Sequence, residues 1–66
     1  MKRINEQKDF TAYVSVGGDL YIENSDGDVR LICSPNGSDE HEVYLDAILA
    51  TDNDGLRSEW DKAAAE

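Results

Sequence analysis

Between Phe10 and Cys33 the chain alternates apolar and polar residues in three short runs, and both breaks between the runs carry glycine. The runs are Phe10-Thr11-Ala12-Tyr13-Val14-Ser15-Val16, Asp19-Leu20-Tyr21-Ile22-Glu23 and Val29-Arg30-Leu31-Ile32-Cys33. A period of two marks a strand with one wet face, and the β-branched and aromatic residues in these runs suit a pleated surface. The breaks, Gly17-Gly18 and Asn24-Ser25-Asp26-Gly27-Asp28, offer turn residues that accept positive φ. The pattern predicts a three-stranded antiparallel meander. Its pleat would place Phe10, Ala12, Val14, Val16, Leu20, Ile22, Val29, Leu31 and Cys33 on one face, and Thr11, Tyr13, Ser15, Asp19, Tyr21, Glu23 and Arg30 on the other.

An apolar sheet face needs a cover. After Ser34-Pro35-Asn36-Gly37 breaks the sheet, Ser38 is a suitable N-cap, with Asp39 and Glu40 where a helix dipole favours anions. A helix is expected from about Asp39 to about Thr51. Helical spacing places His41, Tyr44, Leu45, Ile48 and Leu49 on one side, with Asp39, Glu42 and Asp46 opposite. Asp52-Asn53-Asp54-Gly55 reads as a turn. Leu56 to about Ala65 reads as a second helix with Leu56, Trp60, Ala63 and Ala64 on one stripe. The expected fold is therefore α+β: a three-stranded meander with one or two C-terminal helices packed on one face. Residues 1–66 form one small acidic domain, with Phe10, Val14, Leu20, Ile22, Leu31, Leu45, Ile48 and Trp60 in its core. Residues 1–9 read equally as a short helix or a frayed arm.

A 66-residue chain buries only roughly 60% of the surface its unfolded form exposes, which leaves little room for a catalytic cleft. The single cysteine, Cys33, excludes an internal disulfide and any cysteine-rich zinc site. It fits a reducing cytoplasm. The N-terminus has no apolar run that would make a signal peptide, and no stretch has the roughly 20 apolar residues of a membrane span.

Charge carries the functional signal. Fifteen acids oppose six bases, for a net −9. Lys2, Arg3 and Lys8 stand against Glu6 near the N-terminus, whereas between Leu31 and Leu56 there are six acids and no Lys or Arg. Such a surface repels nucleic acid and anionic membranes and attracts basic surfaces, many of which exist to hold nucleic acid. Small proteins are also acidic simply for solubility. Against that reading, a solvated helix face commonly mixes signs to gain i,i+4 pairs, and this one does not.

Other motifs carry less. An EF-hand frame on Asp54-Gly55 puts Ala50 at the first ligand position, and one on Asp26-Gly27 puts Ile22 there and Cys33 at the last. Neither can coordinate calcium through those side chains. Cys33 and His41 could form a nucleophile pair, but a buried thiol and a core-edge imidazole account for them as well. Tyr13 and Tyr21 could stack bases, which would need a basic groove. They read more simply as cross-strand partners or as part of a protein-binding sheet face. No enzyme activity, cofactor or metal is expected.

The opening Met1-Lys2-Arg3-Ile4-Asn5-Glu6, the length, the acidity and the predicted strands followed by an acid-faced helix resemble the small phage-encoded anti-CRISPR proteins, and a type I-C inhibitor in particular. That resemblance implies a double-stranded DNA mimic acting in the cytoplasm of a bacterial host. It would bind a subunit of the Cascade surveillance complex and block recognition of the protospacer-adjacent motif. The partner-binding residues would be Asp39, Glu40, Glu42, Asp46, Asp52 and Asp54, on a monomer that touches neither nucleic acid nor membrane. The N-terminal basic segment would lie away from the interface. The alternatives are an acidic inhibitor or antitoxin of another nucleic-acid-binding protein, and a small structural protein that uses the Tyr13/Tyr21 face.

Overall fold

The computed structural model describes residues 3–64. They form four strands, β1 (Ile4–Glu6), β2 (Phe10–Val14), β3 (Leu20–Asn24) and β4 (Val29–Cys33), then two helices, α1 (Asp39–Ala50) and α2 (Asn53–Ala64). The sheet is antiparallel in the order β1-β2-β3-β4. The α+β class and the antiparallel meander stand, and both helices are present. The strand number is corrected from three to four, because part of the undecided N-terminal segment pairs with β2. Lys2 and Ala65 lie outside the described residues.

Asn5 explains why β1 holds. It sits opposite Ala12 on the covered face, is buried, and donates through Nδ2 to the carbonyls of Ile48 at 3.0 Å and Thr51 at 2.8 Å. The Ile48 carbonyl also accepts the Thr51 amide at 3.4 Å, so Asn5 adds a second donor at the C-terminal end of α1. Gln7 Nε2 in turn donates to Asn5 Oδ1 at 2.6 Å.

The two hairpins share one turn design. Ser15 N donates to the Asp19 carbonyl and Gly18 N to the Ser15 carbonyl; Asn24 N donates to the Asp28 carbonyl and Gly27 N to the Asn24 carbonyl. Gly18 and Gly27 both have φ of +91°. These are three-residue loops with glycine in the left-handed position. Val16 therefore sits in a turn and is exposed, which corrects its expected place at the end of a strand on the apolar face.

The second loop also sets the phase of β4. Asn24 and Asp28 face each other across the turn, so Val29 falls opposite Glu23 and Leu31 opposite Tyr21, on the open face. Leu31 is 52% exposed, which removes it from the expected core, and Val29, 48% exposed, leaves the face on which it was expected. Arg30 takes the covered face instead, its guanidinium 4.0 Å from the centre of the Trp60 ring and donating to the Trp60 carbonyl at 3.1 Å. A bulge at Ile32 then returns Cys33 to the covered face opposite Leu20.

The buried cluster is Phe10, Ala12, Leu20, Ile22, Leu45, Ile48, Leu56 and Trp60, with Val14, Ile32 and Cys33 packed against it. Helix α1 lies on β1 and β2, and α2 on β2 and β4. Helix α2 starts earlier than expected: Asp52 Oδ1 accepts from Gly55 N at 2.9 Å, so the predicted turn is the capped first turn of the helix. A Cβ at Gly55 would collide with the Thr51 side chain, which accounts for glycine there.

Candidate functional site

Helix α1 buries His41, Leu45 and Ile48 and turns Asp39, Glu40, Glu42 and Asp46 to solvent. Asp39, Glu42 and Asp46 follow i, i+3, i+7 spacing along one side, spanning about 10 Å at about 1.5 Å of rise per residue. The first turn carries Asp39, Glu40 and Glu42, and the last turn carries no basic residue. Ser38 occupies the N-cap position without a side-chain capping bond; its own amide is held by Asn36 Oδ1 at 3.0 Å. Carboxylates near this end are favoured by the helix dipole.

The remaining expected site residues are placed differently. Asp52 is exposed, but one of its carboxylate oxygens caps α2. Asp54 is exposed in the first turn of α2. The acids thus form a line along α1 and a second group where α2 begins.

Two features of the α1 face were not anticipated. Arg3 reaches across from the approach to β1 and donates to Glu42 Oε2 at 2.9 Å, with Asp46 Oδ1 at 3.8 Å. Arg3, expected with the rest of the basic N-terminal segment to lie away from the interface, thus stands beside two of the acids assigned to it. The helix supplies no cation of its own, and the residue just before β1 provides one. Val43, 70% exposed, stands among the four carboxylates. Such an apolar side chain ringed by acids suits contact with a protein, since interfaces combine an apolar centre with a polar rim.

The open face of the sheet is a second surface. Ile4 pairs with Tyr13, Tyr13 with Tyr21 and Tyr21 with Leu31, making one apolar row across all four strands. The two tyrosine rings stack with centres 5.6 Å apart. The adjacent row runs Glu6, Thr11, Glu23 and Val29. No described helix covers this face.

Cys33 and His41 do come together, with Sγ 4.0 Å from Nδ1. His41 Nε2 donates to the Gly18 carbonyl at 3.1 Å, tying α1 to the first hairpin. Burial, reinforced by the negative charges of Glu59 and Asp19, pushes the Cys33 thiol above its ordinary range. That is opposite to what an activated thiolate needs. Among the described residues there is no group of three His, Cys, Asp or Glu side chains placed to hold a metal ion. No helix among them is long and apolar enough to cross a membrane.

Two further groups had no sequence signal of their own. Asp9 accepts from Asn53 Nδ2 at 3.1 Å and from Arg57 at 3.2 Å, while its amide donates to Asn53 Oδ1 at 2.8 Å. Asp9 and Arg57 line a depression of about 320 Å³ with Phe10, Asn24, Trp60 and Asp61. Glu59, buried on α2, accepts from the Tyr44 hydroxyl at 2.7 Å. Burial and then this hydrogen bond push the Tyr44 phenol well above its ordinary value. Tyr44, expected to face the core, lies instead half-exposed beside Glu59.

No protein-family model, curated protein or solved structure matches this chain.

Proposed function

We propose that this protein is a non-enzymatic inhibitor that occupies the basic nucleic-acid-binding surface of another protein and competes with DNA there. The observation that carries the reading is the outward side of α1, where Asp39, Glu40, Glu42 and Asp46 face solvent on a helix with no Lys or Arg of its own. B-DNA spaces phosphates by about 3.4 Å per strand along its axis, so the roughly 10 Å from Asp39 to Asp46 matches about three phosphates. Asp52 and Asp54 extend the negative field beyond the helix. Val43 supplies the apolar contact that a phosphate backbone lacks. Within this class, the resemblance to small anti-CRISPR proteins makes a Cascade subunit the favoured partner and a bacterial host the setting. Binding assays of the purified protein against type I Cascade, with target DNA as competitor, test the reading. Displacement of DNA supports it, and binding that leaves DNA in place removes it.

A second reading rests on the Ile4-Tyr13-Tyr21-Leu31 row. An uncovered apolar row with stacked tyrosines suits a protein-docking face, in which case the acids on α1 serve solubility. Tyrosine substitutions, not neutralised acids, would then abolish binding.

A further inference from the structure

We propose that the pocket between β4, α1 and α2 is a socket for an arginine side chain of the partner protein, with the Glu59 carboxylate as its counter-charge. The pocket has a volume of about 180 Å³ and is lined by Leu31, Ile32, Tyr44, Glu59, Lys62 and Ala63. That is room for several waters. Its one acidic group is Glu59, whose side chain is only 8% exposed.

The two oxygens of that carboxylate are occupied unequally. Oε1 is held by the Tyr44 hydroxyl at 2.7 Å. Oε2 faces Lys62 Nζ at 3.6 Å, and the Lys62 side chain is 74% exposed. This ion pair is long, and its ammonium end lies in water while its carboxylate end does not. Lys62 can swing into water and leave Oε2 to an incoming donor.

The walls select the kind of cation. A single carboxylate is far short of the six to eight oxygen ligands that calcium takes. Ile32 and Ala63 are aliphatic, Tyr44 adds an aromatic ring, and Leu31 contributes only at the rim, from edge strand β4. A guanidinium is planar and weakly hydrated, and it tolerates such surroundings better than an ammonium does. Charge-assisted bonds to a desolvated carboxylate are also the stronger kind. The inference rests on the proposed function only for the existence of a basic partner; the socket itself can be tested without one.

The test is an NMR titration of the labelled protein at fixed ionic strength with the peptide acetyl-Gly-Arg-Gly-amide, beside its lysine and citrulline counterparts. The expected result is saturable amide shifts at Leu31, Ile32, Tyr44, Glu59 and Lys62 with the arginine peptide, weaker ones with lysine and none with citrulline. Lys62→Ala should tighten binding by about two- to fivefold, because it removes the largely exposed ammonium that competes for Oε2. Glu59→Gln keeps an acceptor for Tyr44 and should abolish the shifts while the amide spectrum stays dispersed. If Glu59→Gln unfolds, Lys62→Ala decides. Shifts confined to α1, equal shifts with citrulline, or no tightening in Lys62→Ala would overturn the socket. They would leave the DNA-competition reading intact, because that is measured on a different surface.

Discussion

Asn5 on β1 donates to the carbonyl of Ile48 near the end of α1, 43 positions along the chain, at 3.0 Å. A three-residue edge strand has few ladder bonds with which to hold itself, and this side chain fastens it to the helix it supports. Asn5→Ala removes a buried donor from the Ile48 and Thr51 carbonyls and is expected to cost about 1–3 kcal/mol. Asn5→Asp should cost more, because it sets an acceptor against two acceptors. Urea unfolding of the three proteins checks the order.

The phase of β4 gives a paired prediction. Leu31→Thr should change stability by less than about 1 kcal/mol, because Leu31 is half-exposed on the open sheet face. Leu45→Ala should cost about 2–5 kcal/mol, because Leu45 is fully buried. Equal losses would mean that Leu31 belongs to the core after all.

That register shows how far the sequence could be read. The alternation gave β2 and β3 their correct inner faces, and helical spacing placed His41, Leu45, Ile48, Leu56 and Trp60 against them. The error in β4 came from treating the second turn as phase-neutral. Asn24-Ser25-Asp26-Gly27-Asp28 repeats the pattern of Ser15-Val16-Gly17-Gly18-Asp19, a Ser or Asn, two residues, Gly, then Asp. Reading both as the same loop would have sent Val29 outward. β1 was harder to see, because its support is Asn5, a polar residue whose partners lie at the far end of the chain. The acids of α1 were legible from their spacing. Arg3 on that face was not, since only the pairing of β1 with β2 brings it there.

Tyr44 sets a limit at alkaline pH. Its phenol is held above the ordinary value by burial and by Glu59. A folded-state value above the unfolded one favours folding while the phenol is protonated, so this contribution is complete below about pH 10 and is lost as pH rises beyond it. Unfolding midpoints of the native protein should fall above about pH 10. Tyr44→Phe should be less stable at neutral pH and show a flatter alkaline decline. Parallel curves would exclude the pairing with Glu59.

Arg3 tests the electrostatics of the α1 face. Arg3→Gln releases Glu42 and Asp46 from a largely exposed pair and should alter stability by about 0–1 kcal/mol. A charge-driven partner should then associate faster at low salt, since complementary fields act mainly on the encounter. Stopped-flow association of the two proteins with one partner reads this directly. Slower association would place Arg3 in the interface as a contact.

The most direct measurement is competition with target DNA across a salt series, made on a triple variant, Asp39→Asn with Glu42→Gln and Asp46→Asn, and on a double variant, Tyr13→Ala with Tyr21→Ala. Both are first checked for native folding. Surface charges are screened beyond about 8–10 Å at physiological salt. The account predicts that the native protein loses affinity steeply as salt rises, that the triple variant loses competition at every salt, and that the double tyrosine variant retains it. A triple variant that competes at full strength, with salt of little consequence, would contradict it.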